Sequence, residues 1–127
     1  MLEQKVTSLE LSKRMKALGA KQESEKYWRK ESYRKAYSIC DCYDDCIHTG
    51  KSLSAFDPSE LGEMLPPAIE VDGYDNPLLL AIFKSGLSYS VQFLDTDKNE
   101  RVFWRDGVSM AEAMGEMWCY LKENKLI

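Results

Sequence analysis

Nine residues, CDCYDDCIH from Cys40 to His48, hold three of the four cysteines and the only histidine of this 127-residue chain. Thiolates and imidazoles are the ligands zinc takes in structural sites. The spacing here is C-x-C-x3-C-x-H, which differs from the paired C-x2-C knuckles of common zinc frameworks. On a strand, Cys40 and Cys42 point to one face about 7 Å apart, and a loop could return Cys46 and His48 to them. Asp41, Asp44 and Asp45 add negative charge, which favours a cation but equally suits an exposed acidic loop. Cysteine also behaves as a small buried hydrophobe, so a strand running into a polar loop explains the run without metal. The expectation is therefore no metal and no cofactor, with Cys40, Cys42, Cys46 and His48 as the zinc-binding alternative. Cys46 and His48 make a poor nucleophile pair, because catalytic pairs are normally assembled from distant segments. G-x-G-x-x-G, H-E-x-x-H and G-x-S-x-G are absent. HTGKS fails as a phosphate loop because Asp45 stands where its first glycine belongs.

A second chemistry is carried by aromatic residues beside cations. Trp28-Arg29 and Trp104-Arg105 are two such pairs, and Tyr27, Tyr33, Arg34 and Lys35 extend the first. An aromatic plane with a guanidinium nearby suits a nucleotide, base on ring and phosphate on arginine. Alternation along a strand sends neighbours to opposite faces, so each Trp-Arg pair cannot form one contact surface by itself. Large aromatics dominate cores, which favours Trp28 and Trp104 facing inward with Arg29 and Arg105 outward. The binding alternative turns the tryptophans out as a stacking platform. Tyr27, Trp28, Arg29, Tyr33, Arg34, Trp104 and Arg105 are the candidate ligand-binding residues, with Arg29 or Arg105 expected on the phosphate. Two copies of the chain could together build a pocket that one copy lacks room for.

These side chains must be positioned by elements that the pattern also predicts. VTSLEL, FDPSEL and VSMAEA each place a cap residue three before a glutamate, Thr7, Asp57 and Ser109 before Glu10, Glu60 and Glu112, with apolar residues flanking. That is the capping box with its staple, so helices are expected to start near residues 8, 58 and 110. Gly19 ends the first after Leu11, Met15 and Leu18, and Pro66-Pro67 ends the second. The third carries Ala113, Met114, Met117, Trp118 and Leu121 on one face, with Lys122 and Lys125 at its negative end. YSVQFLD alternates, and ERVFWRD follows after the turn TDKN, which predicts a hairpin. LLLAIFK is apolar on both faces and reads as the central strand of a meander. SEKYWRK and KAYSICDC read as a further hairpin turning near Glu31-Ser32, and AIEVDGYDN as a short strand entering a turn. The expected fold is α+β: one domain spanning 1–127, an antiparallel sheet of four to six strands, and three helices mostly on one face.

Composition narrows the function classes. The net charge of −4 divides into ten Lys/Arg against five Asp/Glu in residues 1–35, and seven against sixteen afterwards. An acidic bulk argues against a nucleic-acid binder. No apolar run reaches about 20 residues, so no membrane span is expected. The N-terminus lacks the basic-then-apolar pattern of a secretory signal, which points to the cytoplasm, where thiols stay reduced.

TSLELSKRMKALGAKQES (Thr7 to Ser24), SELGEMLP (Ser59 to Pro66) and the terminal YLKENKLI together resemble a family of small phage and prophage accessory proteins. The segment 25–55 does not contribute to the likeness. The resemblance implies a protein working in the cytoplasm of an infected bacterial host, possessing a counter-defence role and either sequestering a nucleotide signal or binding a host protein. The reading is thus a non-catalytic binder of a small phosphorylated ligand or of a host protein. The alternatives are a small enzyme acting on a nucleotide signal, with Asp41, Asp44 and Asp45 as metal ligands, and an interaction module built on a zinc cluster.

Overall fold

The computed structural model describes residues 5–30, 36–40 and 52–127. Among the described residues, three helices, α1 (Leu9–Ala17), α2 (Pro58–Met64) and α3 (Met110–Glu123), accompany seven strands. The strands are β1 (Lys26–Arg29), β2 (Ser38–Cys40), β3 (Leu53–Ala55), β4 (Ala68–Ile69), β5 (Leu78–Ser85), β6 (Ser88–Asp95) and β7 (Glu100–Gly107). The fold is α+β, with the strands in two antiparallel sheets, β2-β1-β3 and β4-β5-β6-β7, rather than one. β3 is what divides them. Its three residues pair with β1, Trp28 opposite Leu53, and the chain then enters α2 before the second sheet begins.

The larger sheet is the expected meander. β5 and β6 are joined by Gly86-Leu87, with Gly86 at φ +61°, and β6 and β7 by residues 96–99. Val91, Phe93 and Leu78 are fully buried beneath α3, which supplies Ala113, Met114, Met117, Trp118 and Leu121. Leu11 and Met15 of α1, Phe56 and Leu61 complete the same core. Two close approaches hold α3 in place. A Cβ on Gly115 would meet Leu11 Cδ2 at 2.6 Å, and one on Gly107 would meet the Ala113 backbone nitrogen at 2.5 Å. Arg14 on α1 also reaches Glu116 at 2.8 Å and Glu123 at 3.3 Å on α3.

The helix ends follow their chemistry, with informative exceptions. Asp57 and Glu60 form the complete capping box. Ser109 accepts from the Glu112 N–H, but the Glu112 carboxylate reaches the Ser8 N–H at the start of α1 instead of its own cap. The cap of α1 is Ser8, not Thr7. Thr7 is buried, and its hydroxyl meets Ser12 Oγ at 2.8 Å and the Phe56 N–H at 3.1 Å. Its carbonyl accepts the Trp28 indole N–H at 2.9 Å. One buried threonine therefore ties α1, β1 and the residue that follows β3 together. Val108, expected to staple α3, is 82% exposed. Both α1 and α3 close with the paired backbone bonds of a Schellman motif. Ala20 donates to Met15 and Gly19 to Lys16, and Leu126 donates to Leu121 and Lys125 to Lys122.

Among the described residues, no helix is long and apolar enough to cross a membrane.

Candidate ligand pocket and exposed sheet face

The described ligand-binding candidates are divided between the two sheets. Tyr27 is buried on one side of β1. Trp28, on the other, is half-buried with its indole N–H committed to Thr7. Arg29 lies opposite Ser38 in the small sheet. Trp104 and Arg105 belong to the large sheet, and Tyr33 and Arg34 lie outside the described residues.

β7 reverses the expected orientation. Phe103 pairs with the buried Phe93, Trp104 with Gln92 and Arg105 with Val91. Paired residues of adjacent strands share a face, so Arg105 lies on the inner face, under α3. Its guanidinium stacks on the Tyr120 ring at 4.1 Å and donates to the Trp104 carbonyl at 2.6 Å. Trp104 faces outward and is 40% exposed. The cation on its ring is Arg101, at 4.1 Å. A bulge between Phe93 and Leu94 restores the alternation, so Arg101 lies opposite Leu94 on Trp104's side. The outer face also presents Leu79 and Phe83, 44% and 49% exposed.

The cysteine run is only partly described. Cys40 ends β2 and is disulfide-bonded, which departs from the expectation of reduced thiols. A disulfide sulfur is not a thiolate, so Cys40 in this state cannot serve as the zinc ligand that the alternative required. Cys42, Cys46 and His48 lie outside the described residues, as do Asp41, Asp44 and Asp45. Cys119 is a free thiol buried on α3, and burial pushes it up to about 12. No cluster of three or more metal-ligating side chains occurs among the described residues.

A concavity among the described residues lies elsewhere. A pocket of about 620 Å³ opens where the starts of α2 and α3 meet the N-terminal segment and the beginnings of β1 and β6. Its wall is largely apolar, from Val6, Pro58, Tyr89, Met110 and Ala111. Two basic residues, Lys5 and Lys26, are part of its lining. Lys84 adds a third nearby, with Nζ 5.6 Å from the centre of the Tyr89 ring. Two of its lining oxygens cap helices: Asp57 Oδ1 accepts from Glu60 N, and Ser109 Oγ from Glu112 N. The first turn of α3 borders the pocket with Ser109, Met110 and Ala111, which contributes the positive end of its dipole. Glu60, which braces this cap through the Asp57 and Glu25 N–H groups, is pushed above the usual carboxylate range by burial, the two hydrogen bonds acting the other way. The pocket thus combines an apolar wall with cations in an otherwise acidic molecule. Sequence reasoning missed it because its lining comes from five separate segments. The single local signal was Lys26, the first residue of the basic stretch.

Comparison with protein-family models, with curated proteins and with solved structures found no match.

Proposed function

We propose that this is a non-catalytic binding protein that holds a small phosphorylated ligand of nucleotide type. The observation that carries the reading is the pocket of about 620 Å³ with Tyr89 and aliphatic side chains on its wall and Lys5 and Lys26 among its lining. Its volume is in the range of small-molecule sites, which are mostly apolar with a few placed polar groups. A base or other flat apolar body fits against Tyr89, Val6 and Met110, and the phosphate takes the ammonium groups as charge-assisted partners. Binding is favoured over turnover because two of the lining oxygens that could act as base or nucleophile, Asp57 Oδ1 and Ser109 Oγ, already cap helices. The ligand class is that expected from the aromatic–basic sequence. The site moves from Trp28, Arg29, Trp104 and Arg105 to the pocket that starts at Lys26. Resemblance to phage accessory proteins supplies the context: sequestration of a nucleotide signal, as counter-defence, in the cytoplasm of an infected bacterial host.

The test is to incubate the protein with a panel of nucleoside mono-, di- and triphosphates and cyclic nucleotides, remove unbound material, denature, and separate what is released. One nucleotide recovered intact and near one per chain is the expected result. Product altered many times over per chain overturns the non-catalytic reading, and no retained nucleotide overturns the ligand class.

A further inference from the structure

The outer face of β5–β7 carries an apolar patch with charges arranged around it. Leu79, Ala81 and Phe83 lie along β5, and Leu94, Gln92 and Ser90 face them along β6. On β7, Arg101, Trp104 and Asp106 stand opposite Leu94, Gln92 and Ser90. Successive same-face residues on a strand are about 7 Å apart. By register Trp104 therefore sits in the middle row, with Arg101 rooted in the row on one side, its guanidinium turned back over the Trp104 ring at 4.1 Å, and Asp106 rooted in the row on the other. The apolar residues of β5 have the same layout, Leu79 and Phe83 on either side of Ala81.

We infer that this face is a dimer interface whose occupant is a second copy of the chain, related by a two-fold axis through the Ala81–Gln92–Trp104 row. An axis lying between two facing sheets and perpendicular to their strands reverses each strand onto its own copy. Arg101 then meets the partner's Asp106, and Asp106 meets the partner's Arg101, so one charge pair is made twice. Leu79 meets the partner's Phe83 in the same double fashion, and the two tryptophans pack at the centre. Charge complementarity selects this occupant. An isologous contact needs a patch complementary to itself under rotation, and a cationic and an anionic residue rooted in the rows on either side of an aromatic centre meet that condition. Sheets packed in this way keep their strands within about 30° of alignment.

The size of the face sets the strength. Three eight-residue strands span about 27 by 14 Å, or roughly 400 Å² of projected area per copy, so the pair falls below the 1,200 Å² at the lower end of standard interfaces. The dimer is a weak one, populated near 100 µM and dissociated near 1 µM.

Sedimentation velocity of the full chain across that range reads it directly. Phe83→Glu should abolish the dimer, since the residue is exposed and its replacement leaves the inner face intact. Asp106→Arg and Arg101→Asp should each weaken association about tenfold or more by placing like charges together. The double variant Arg101→Asp/Asp106→Arg should restore it, because each reversed charge meets a reversed partner. A chain that stays monomeric at 300 µM overturns the inference. So does a dimer indifferent to Phe83→Glu, or one that the double swap leaves as weak as the single swaps.

Discussion

The two faces of the β5–β7 sheet are built from similar residues and have different fates. On the inner face Phe93, Val91 and Phe103 pack under α3, and the Arg105 guanidinium lies over the Tyr120 ring. On the outer face Phe83, Leu79 and Trp104 stay open to solvent, with Arg101 over the Trp104 ring. Each face thus has phenylalanine, an aliphatic residue and an arginine stacked on an aromatic ring. The difference comes from what lies above. α3 covers one side and contributes Met117, Trp118 and Leu121. Among the described residues no element covers the other. Residue type alone does not identify the buried face when a strand is apolar on both sides, and the covering element decides.

Exchanging one phenylalanine on each face breaks the comparison most sharply. Phe93 is fully buried, so Phe93→Ala should cost about 3–5 kcal/mol through lost transfer energy and the cavity left behind. Phe83→Ala on the outer face should change monomer stability by about 0.5 kcal/mol or less. Urea unfolding at low micromolar concentration measures both, and equal costs would mean that the outer face is covered. Next in size is the junction that brings α3 onto the inner face. Gly107→Ala places a methyl 2.5 Å from the Ala113 nitrogen, a backbone atom that cannot rotate away. The expected cost is about 1–3 kcal/mol by overpacking, visible as a lower urea midpoint. A neutral result would show that β7 and α3 are less tightly joined than described. The smallest effect concerns the cysteines. Cys119, buried on α3 with its thiol pushed up to about 12, should resist alkylation at pH 8 until the protein unfolds. With Cys40 in a disulfide and four cysteines in all, the unreduced, denatured chain should titrate no more than two thiols. Four thiols would return Cys40 to the pool of zinc ligands.

Much of this architecture was legible because local chemistry and tertiary structure agree. Asp57-Pro58 with Glu60 marks α2, Ser109 caps α3, and the period of Tyr89, Val91 and Phe93 gives the inner face of β6. The misreadings occur where a side chain serves a distant partner. Thr7 looks like a cap and is a buried bond between segments. Glu112 looks like the far half of a capping box, and it instead caps across to Ser8. β3, at three residues, carries too little pattern to be seen. The orientation of β7 was open because ERVFWRD alternates equally well in either phase, and only its pairing with Phe93 settles it. The pocket was least legible of all. Lys5, Lys26, Asp57, Tyr89 and Ser109 are scattered through the chain, and no spacing rule joins them.

The direct test of the pocket as the ligand site is a calorimetric titration, at pH 7 and low salt, with the nucleotide that the panel retains most strongly. The wild-type chain and Lys5→Ala/Lys26→Ala are compared. A charge-assisted contact contributes about 1.5–3 kcal/mol, so losing the two ammonium groups should weaken binding at least about tenfold. Neither lysine belongs to the buried core, so circular dichroism and the urea midpoint should stay near wild type. Saturable one-to-one binding by the wild type, lost or weakened tenfold in a folded double variant, is the predicted result. Full affinity in that folded double variant would contradict the assignment.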